Sequence, residues 1–384
     1  MKIFKYKKCK SFIFINIIIF LYFFNRIRLR LIPYLLKNEY SKIEKYLKIC
    51  KNSRYINITK IPPLNKPKIS IISPIYNTGR FVLRFLRSIQ FQKFNDIEII
   101  LIDDFSNDNS IKLIKKYQNE DKRIRLIRNK KNKGTFASRN IGILKSKGEY
   151  IMIPDPDDIL LENSLKYFYN FAKKFNYEVI RFNVYLHYGN TFFGYITRKL
   201  ESRSILQPEL STYLFYGLKF LFQVDYNLCN KFIKREALLR ALKLININEL
   251  NMYMTCHEDG LLNFLLYRTA RSLYFIKQFG YYYIRNNYKH RKYYTFKNIK
   301  FSFIHIMFIF NLTKNTKYEK NMVNEIFKRL VYRKKLKNHL HLLKKQHNFF
   351  ITAINSLKNN EFIKFKYKKY LKSFLFYFNK YNKK

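Results

Sequence analysis

Between residues 68 and 175 the hydrophobic pattern switches repeatedly between two periods, and that alternation constrains the fold more than any other feature of the chain. The runs "KISIISPIY", "DIEIILIDD", "RIRLIRN" and "EYIMIP" are short, rich in Ile, and stopped by Pro, Asn or acids, which predicts buried strands. Between them, "GRFVLRFLRSIQFQ" brings Phe81, Val82, Phe85, Leu86 and Ile89 onto one helical face. "SNDNSIKLIKKYQ" opens with Ser and Asp capping residues, and "TFASRNIGILKSK" supplies a third helix. Strands joined through helices run parallel, and strands apolar throughout need cover on both faces. The predicted class is therefore α/β, a mainly parallel sheet flanked by helices. Residues 176–285 are mixed, with a hairpin predicted near "VYLHYGNTFFGYI", and beyond Tyr288 the pattern is helical and aromatic.

The flanks read differently. "MKIFKYKKCK" is basic, the run at 11–24 is apolar apart from Ser11 and Asn16, and "NRIRLR" follows without a small-residue cleavage site. These features predict an uncleaved signal anchor and a single-pass membrane protein, of the Golgi or endoplasmic reticulum in a eukaryotic cell, although the run is shorter than the roughly 20 residues of a typical span. An amphipathic surface helix is the alternative. Three prolines in "IPPLNKPK" mark a linker. The expected organisation is an anchor over 1–30, a stem over 31–67, the α/β domain over 68–287, and a basic helical extension over 288–384. None of the four cysteines forms a Cys-x-x-Cys pair, and whether Cys229 and Cys256 are bridged stays open.

The chain carries 76 Lys and Arg against 25 Asp and Glu, a net charge of +51. Lys, Asn, Ile, Phe and Tyr are over-used together, as A/T-rich codons would dictate. The basic residues are spread along the whole length, with no RNA-binding signature and no zinc-finger spacing, so no specific nucleic-acid partner is expected.

Against that background the acids are concentrated. Seven of the ten aspartates fall in "DDFSND", "DPDD" and "HEDG". The first two clusters follow the second and fourth predicted strands, where open α/β sheets bind their ligands. Crowded carboxylates are costly unless a cation joins them. A divalent metal, Mn2+ or Mg2+, carrying a diphosphate meets that requirement. Asp108 and Asp158 fit ordinary turn or cap roles.

The stretches "ISIISPIYN", "IEIILIDDFSNDNS", "KGTFASRNIGILKSKGEYIMIPDPDDIL", "NKFIKREAL" and "CHEDGLLNFLL", in that order, resemble family 2 glycosyltransferases of the GT-A fold over about residues 68–287. The resemblance implies a metal-dependent, inverting transfer of a sugar from a nucleoside-diphosphate sugar to a hydroxyl on a glycan, lipid or protein acceptor. It places Pro74, Ile75 and Tyr76 at the base and ribose. Asp103 and Asp104 lie at the nucleotide, with Asp104 accepting from a uracil-type ring. Gly134 and Arg139 support the sugar nucleotide. In the Asp-x-Asp motif, Asp155 faces ribose or metal and Asp157 is a metal ligand. Glu258 and Asp259 form the catalytic pair, with Asp259 as general base, while Thr255-x-x-Glu258 also reads as a capping box. Arg285 corresponds to a diphosphate contact, but Tyr288 departs from the Ser that often follows in the family. A nucleotidyltransferase would need a Gly-rich loop after the first strand, where "SPIYNTGR" has a single Gly. A catalytically inactive, membrane-tethered binding subunit is the other alternative, and the intact acidic clusters speak against it.

Overall fold

The computed structural model describes residues 45–46, 48–50, 62, 65–188, 191–193, 203–206, 227–255 and 258–285. The predicted anchor at 1–30, the C-terminal extension from 288 and Cys256 lie outside these. Among the described residues no helix is long and apolar enough to cross a membrane.

The chain alternates as its pattern requires: β1 (Ile69–Ile75), α1 (Val82–Gln90), β2 (Ile97–Asp103), α2 (Ser110–Glu120), β3 (Ile124–Arg128), α3 (Gly134–Lys145) and β4 (Tyr150–Met152). β3, β2, β1 and β4 lie side by side and parallel, with Ile75 opposite Asp103 at the carboxyl end. Alternation decides which side chain faces which layer. Ile69, Ile71, Ile97, Ile99 and Leu101 join a core with Phe85 and Leu86 of α1 and Ile114 of α2. Ile72 and Ile102 face α3 instead, so closely that a Cβ on Gly142 would strike Ile72.

The remaining elements are β5 (Ile159–Leu160), α4 (Ser164–Phe175), β6 (Val179–Tyr188), β7 (Thr191–Phe193), β8 (Arg203–Leu206), β9 (Lys231–Lys234), α5 (Arg235–Leu242), α6 (Ile247–Leu250), α7 (Glu258–Thr269) and β10 (Ser272–Arg285). Here the mainly parallel expectation gives way to a mixed sheet. β9 inserts antiparallel between β4 and β6, and β10 runs parallel to β6 but antiparallel to β5. The predicted hairpin forms, with β7 antiparallel to β6 through Tyr188 and Thr191.

Tyr46 and Cys50, expected in the stem, are bound to the domain. The Tyr46 hydroxyl donates to Leu160 O (3.0 Å), Arg87 Nη1 donates to Cys50 O (3.0 Å), and Cys50 is fully buried.

Candidate active site

Three loops at the carboxyl ends of β1, β2 and β4 are tied into one rim. Asp104 N donates to Ile75 O (2.8 Å), Asn77 N to Ser106 Oγ (3.0 Å), and Ser73 Oγ to Pro154 O (3.0 Å). On this rim Tyr76 is half exposed, at 51%, whereas Ile75 is wholly in the core. The Ile75 side chain therefore cannot reach a ligand, and its contribution is the carbonyl that fixes Asp104.

Asp103 and Asp104 are both buried and both occupied. Asp103 accepts from Ser106 N and pairs with Arg128 Nε at 3.2 Å. Asp104 accepts from Asn129 Nδ2 (2.9 Å), Lys133 N (2.7 Å) and Gly134 N (2.8 Å). The last two are orphan donors at the start of α3, where a carboxylate also complements the helix dipole. One acceptor direction of the four on a carboxylate is left for a ligand. Gly134 has φ 83, and a Cβ there would lie 2.8 Å from Met254 N, so only glycine lets the segment before α7 dock against α3.

The Asp-x-Asp loop is held from below by β10. Asp155 N donates to the Tyr281 hydroxyl (3.0 Å), which donates in turn to Asp158 Oδ2 (2.8 Å), while Ile284 N donates to Asp158 Oδ1 (2.8 Å). Arg84 Nη2 donates to the Asp157 carbonyl. Asp158 is thus no surface turn residue. It is 1% exposed, and burial, then Asp157 and Asp155, push its carboxyl well above the usual range. Asp108 does take the turn role, accepting from Gly79 N (2.9 Å) and Ser110 N (3.0 Å).

Arg139 of α3 stands at the centre. Its guanidinium is 3% exposed and holds three carboxylates: Asp155 Oδ1 through Nη2 (2.8 Å), Glu258 Oε1 through Nη1 (3.2 Å), and Asp259 Oδ1 through Nη1. Glu258, expected to cap α7, is turned to this cluster. Burial raises Glu258 to about 7, with Asp259 adding to the rise and Arg139 opposing it. Asp259 is also raised by burial, against the pull of Arg139 and Lys231. The three acids outweigh the cost of burying Arg139 and hold it firmly protonated.

The structure thus brings Arg139, Asp155, Glu258 and Asp259 into contact, with Asp157 on the same loop as Asp155. Arg285 ends β10, and its side chain lies outside the described residues. Among the described residues no group of three or more His, Cys, Asp or Glu side chains is placed to hold a metal. Sequence reasoning missed Asp158, Tyr281, Arg84 and Lys231. The third acid of "DPDD" was a signal for the first, and the other three carry none that is local.

The sequence profile described as Glycosyl transferase family 2 matches residues 70–240. The chain is 28% identical over 216 residues to the glycosyltransferase GlyG of Streptococcus pneumoniae, covering 50% of this chain and 71% of that one. It is 32% identical over 196 residues to an uncharacterized glycosyltransferase of Haemophilus influenzae, covering 51% and 70%. With the poly(ribitol-phosphate) beta-N-acetylglucosaminyltransferase TarP of Staphylococcus aureus it shares 40% identity over 118 residues, 29% of this chain and 35% of that one. In fold it is similar to TarS of S. aureus in complex with UDP-GlcNAc, with a TM-score of 0.55 and 19% identity over 77% of this chain and 81% of that one.

Proposed function

Because this chain belongs to glycosyl transferase family 2 and is a glycosyltransferase, we propose that it moves a sugar from a uridine-type nucleoside diphosphate to a hydroxyl acceptor, with inversion at the anomeric carbon. The observation that carries this reading is the Arg139 cluster. One guanidinium contacts both Asp155 of the Asp-x-Asp loop and Asp259 at the start of α7. That shared contact brings the loop read as facing the donor's diphosphate and the acid read as proton acceptor close to each other, which supports their acting on one sugar. Family membership sets the nucleotidyltransferase reading aside.

In this reading Tyr76 offers its exposed ring to the base, and Asp103 and Asp104 order the nucleotide loops. Asp157 and Asp155 suit a divalent cation, Mn2+ or Mg2+. Both are hard oxygen donors with partly exposed side chains, and Mg2+ is commonly bound by one or two carboxylates plus substrate phosphates. When bound, such an ion neutralises charge on the departing diphosphate. Asp259 takes the proton of the acceptor hydroxyl. Its raised carboxyl suits the task, since a base is most effective with a pKa near the working pH. Glu258 shares Arg139 with Asp259 and keeps it oriented. Arg285 is retained as a diphosphate contact. The acceptor is a glycan, lipid or protein hydroxyl, and the apolar run at 11–24 tethers the enzyme to a membrane.

TarP and the UDP-GlcNAc complex of TarS support starting with UDP-GlcNAc. The test is a panel of nucleotide sugars offered to the purified full chain with and without Mn2+, read as release of nucleoside diphosphate. Release that needs both one donor and the metal supports the reading. No release from any donor would sink it.

A further inference from the structure

A second, smaller hydrophobic cluster lies apart from the main core. Cys50, Ile159, Tyr185, Tyr282 and Ile284 are buried in it, and Tyr46 and Phe91 are among the partly buried side chains packed against them. Strand alternation divides β5 and β10 between the two clusters. Leu160 and Tyr281 face the main core, whereas Ile159 and Tyr282, opposite each other across the pair, face the smaller one. Satellite clusters form under loops. Here the loop is the one that carries Asp155 and Asp157, because Ile159 follows Asp158 directly and Ile284 precedes Arg285.

Tyr46 and Cys50 reach this cluster from upstream of residues 70–240, the stretch that the family profile matches. They stand four positions apart in helical backbone, a spacing that puts both side chains on one face. The Tyr46 hydroxyl donates to Leu160 O (3.0 Å), and its ring meets Phe91 edge-on, with centroids 5.9 Å apart. Cys50 is fully buried, and its carbonyl accepts from Arg87 Nη1 (3.0 Å). Helix α1 carries the contact onward, since Ser88 Oγ accepts from Leu160 N (3.1 Å) and Arg84 Nη2 donates to the Asp157 carbonyl. The backbone from 157 to 160 is thus gripped by α1 at both ends and by Tyr46 directly.

We propose that Tyr46 and Cys50 are positioning residues for donor binding. They complete the cluster that supports the Asp-x-Asp loop, so this upstream segment is part of the donor site's framework and not only a tether. The inference rests on the reading of that loop as the place of the donor's diphosphate. Neither side chain touches the donor. The coupling is reciprocal: whatever factor docking of Tyr46 and Cys50 adds to UDP affinity, bound UDP adds to their docking.

Cys50 itself reports the docking, because a fully buried thiol is alkylated only when its surroundings open. The full chain is treated with N-ethylmaleimide with and without UDP and Mn2+, and labelling of Cys50 is followed by peptide mass spectrometry. UDP with Mn2+ should slow it by about fivefold or more, the lower bound of typical coupling between sites. Tyr46→Ala should speed labelling and raise Kd for UDP by a similar factor. If that variant does not fold, Tyr46→Phe keeps the ring and loses only the bond to Leu160 O; it should move both readouts the same way by about two- to tenfold. Cys50 labelling indifferent to UDP, or normal UDP affinity in the Tyr46 variants, would overturn the proposal. Equal slowing at Cys229, which is buried in the main core, would also overturn it, since both thiols would then open only with the whole domain. Unchanged UDP affinity in Asp157→Ala with Mn2+ would instead overturn the reading of the loop, so the two failures are separable.

Discussion

Arg139→Gln tests whether the site is held together by charge. The guanidinium is 3% exposed, and its partners Asp155, Glu258 and Asp259 have side chains 29%, 12% and 27% exposed. Removing one partner of a buried pair costs about 3–5 kcal/mol because the other charge is left uncompensated. The three acids retain some solvent, so the lower end applies, about 3 kcal/mol. For a domain of this size each kcal/mol lowers the midpoint by about 2–4 °C, giving a drop of about 6–12 °C near pH 8. The sign with pH follows from Glu258, raised from 4.5 to about 7 by burial, then by Asp259. A carboxyl raised in the folded state stabilises most below its unfolded value, and that stability is lost as pH climbs from about 4.5 through 7. Arg139 limits the loss. Without it the penalty above pH 7 deepens, whereas at pH 5 Glu258 is already neutral, and the deficit should shrink to about half. Thermal unfolding of both proteins at pH 5, 6, 7 and 8, at fixed ionic strength, measures this. A deficit equal at both extremes, or larger at pH 5, would mean that lost packing and not lost charge is responsible.

Three further outcomes are expected, the first two from the geometry of the site and the third from the apolar run at 11–24. Gly134→Ala puts a Cβ 2.8 Å from Met254 N at φ 83, so a loss of at least about 2 kcal/mol and weaker UDP binding are expected; an unchanged midpoint and affinity would show that the α3 junction relaxes freely. Asp157→Ala should abolish turnover and weaken UDP binding only in the presence of Mn2+, at a cost of several kcal/mol in transition-state stabilisation; full activity in the variant, or in the native enzyme with chelator, would refute the metal role. The full chain should stay with membranes in alkaline carbonate, whereas release would make the run at 11–24 a peripheral helix.

What was legible in the sequence is what depends on near neighbours. The Ile-rich runs and the helical spacing of Phe81 to Ile89 located β1, β2 and α1, and the acids at strand ends located the rim. Pairings across long separations were not legible. β9 enters the sheet between β4 and β6, and no local pattern reports which strands an antiparallel insert will join. Asp158 looked like a turn residue because its partner, Tyr281, is 123 positions away. Arg139 was assigned only a general place at the donor because its engagement with Asp259 spans 120 positions. Ile75 was counted at the nucleotide from its place in a motif, and strand alternation turned it into the core.

The concentration of acid in so basic a chain also has a physical reading. A net charge of +51 attracts an anionic nucleotide sugar from any direction. Left bare, the carboxylates of Asp155, Glu258 and Asp259 would cancel that attraction at the place where it matters most. Burying one guanidinium among them, with the charge of the Lys231 ammonium also felt at Asp259, reduces the local excess to about one negative charge when all three acids are ionised. Raising Glu258 to about 7 removes much of the remainder near neutral pH. The cluster can then keep a carboxylate for proton transfer without repelling the diphosphate that must settle beside it. On this account, the buried Arg139 serves donor entry as well as orientation of the base, and the charge of Lys231 adds to the first.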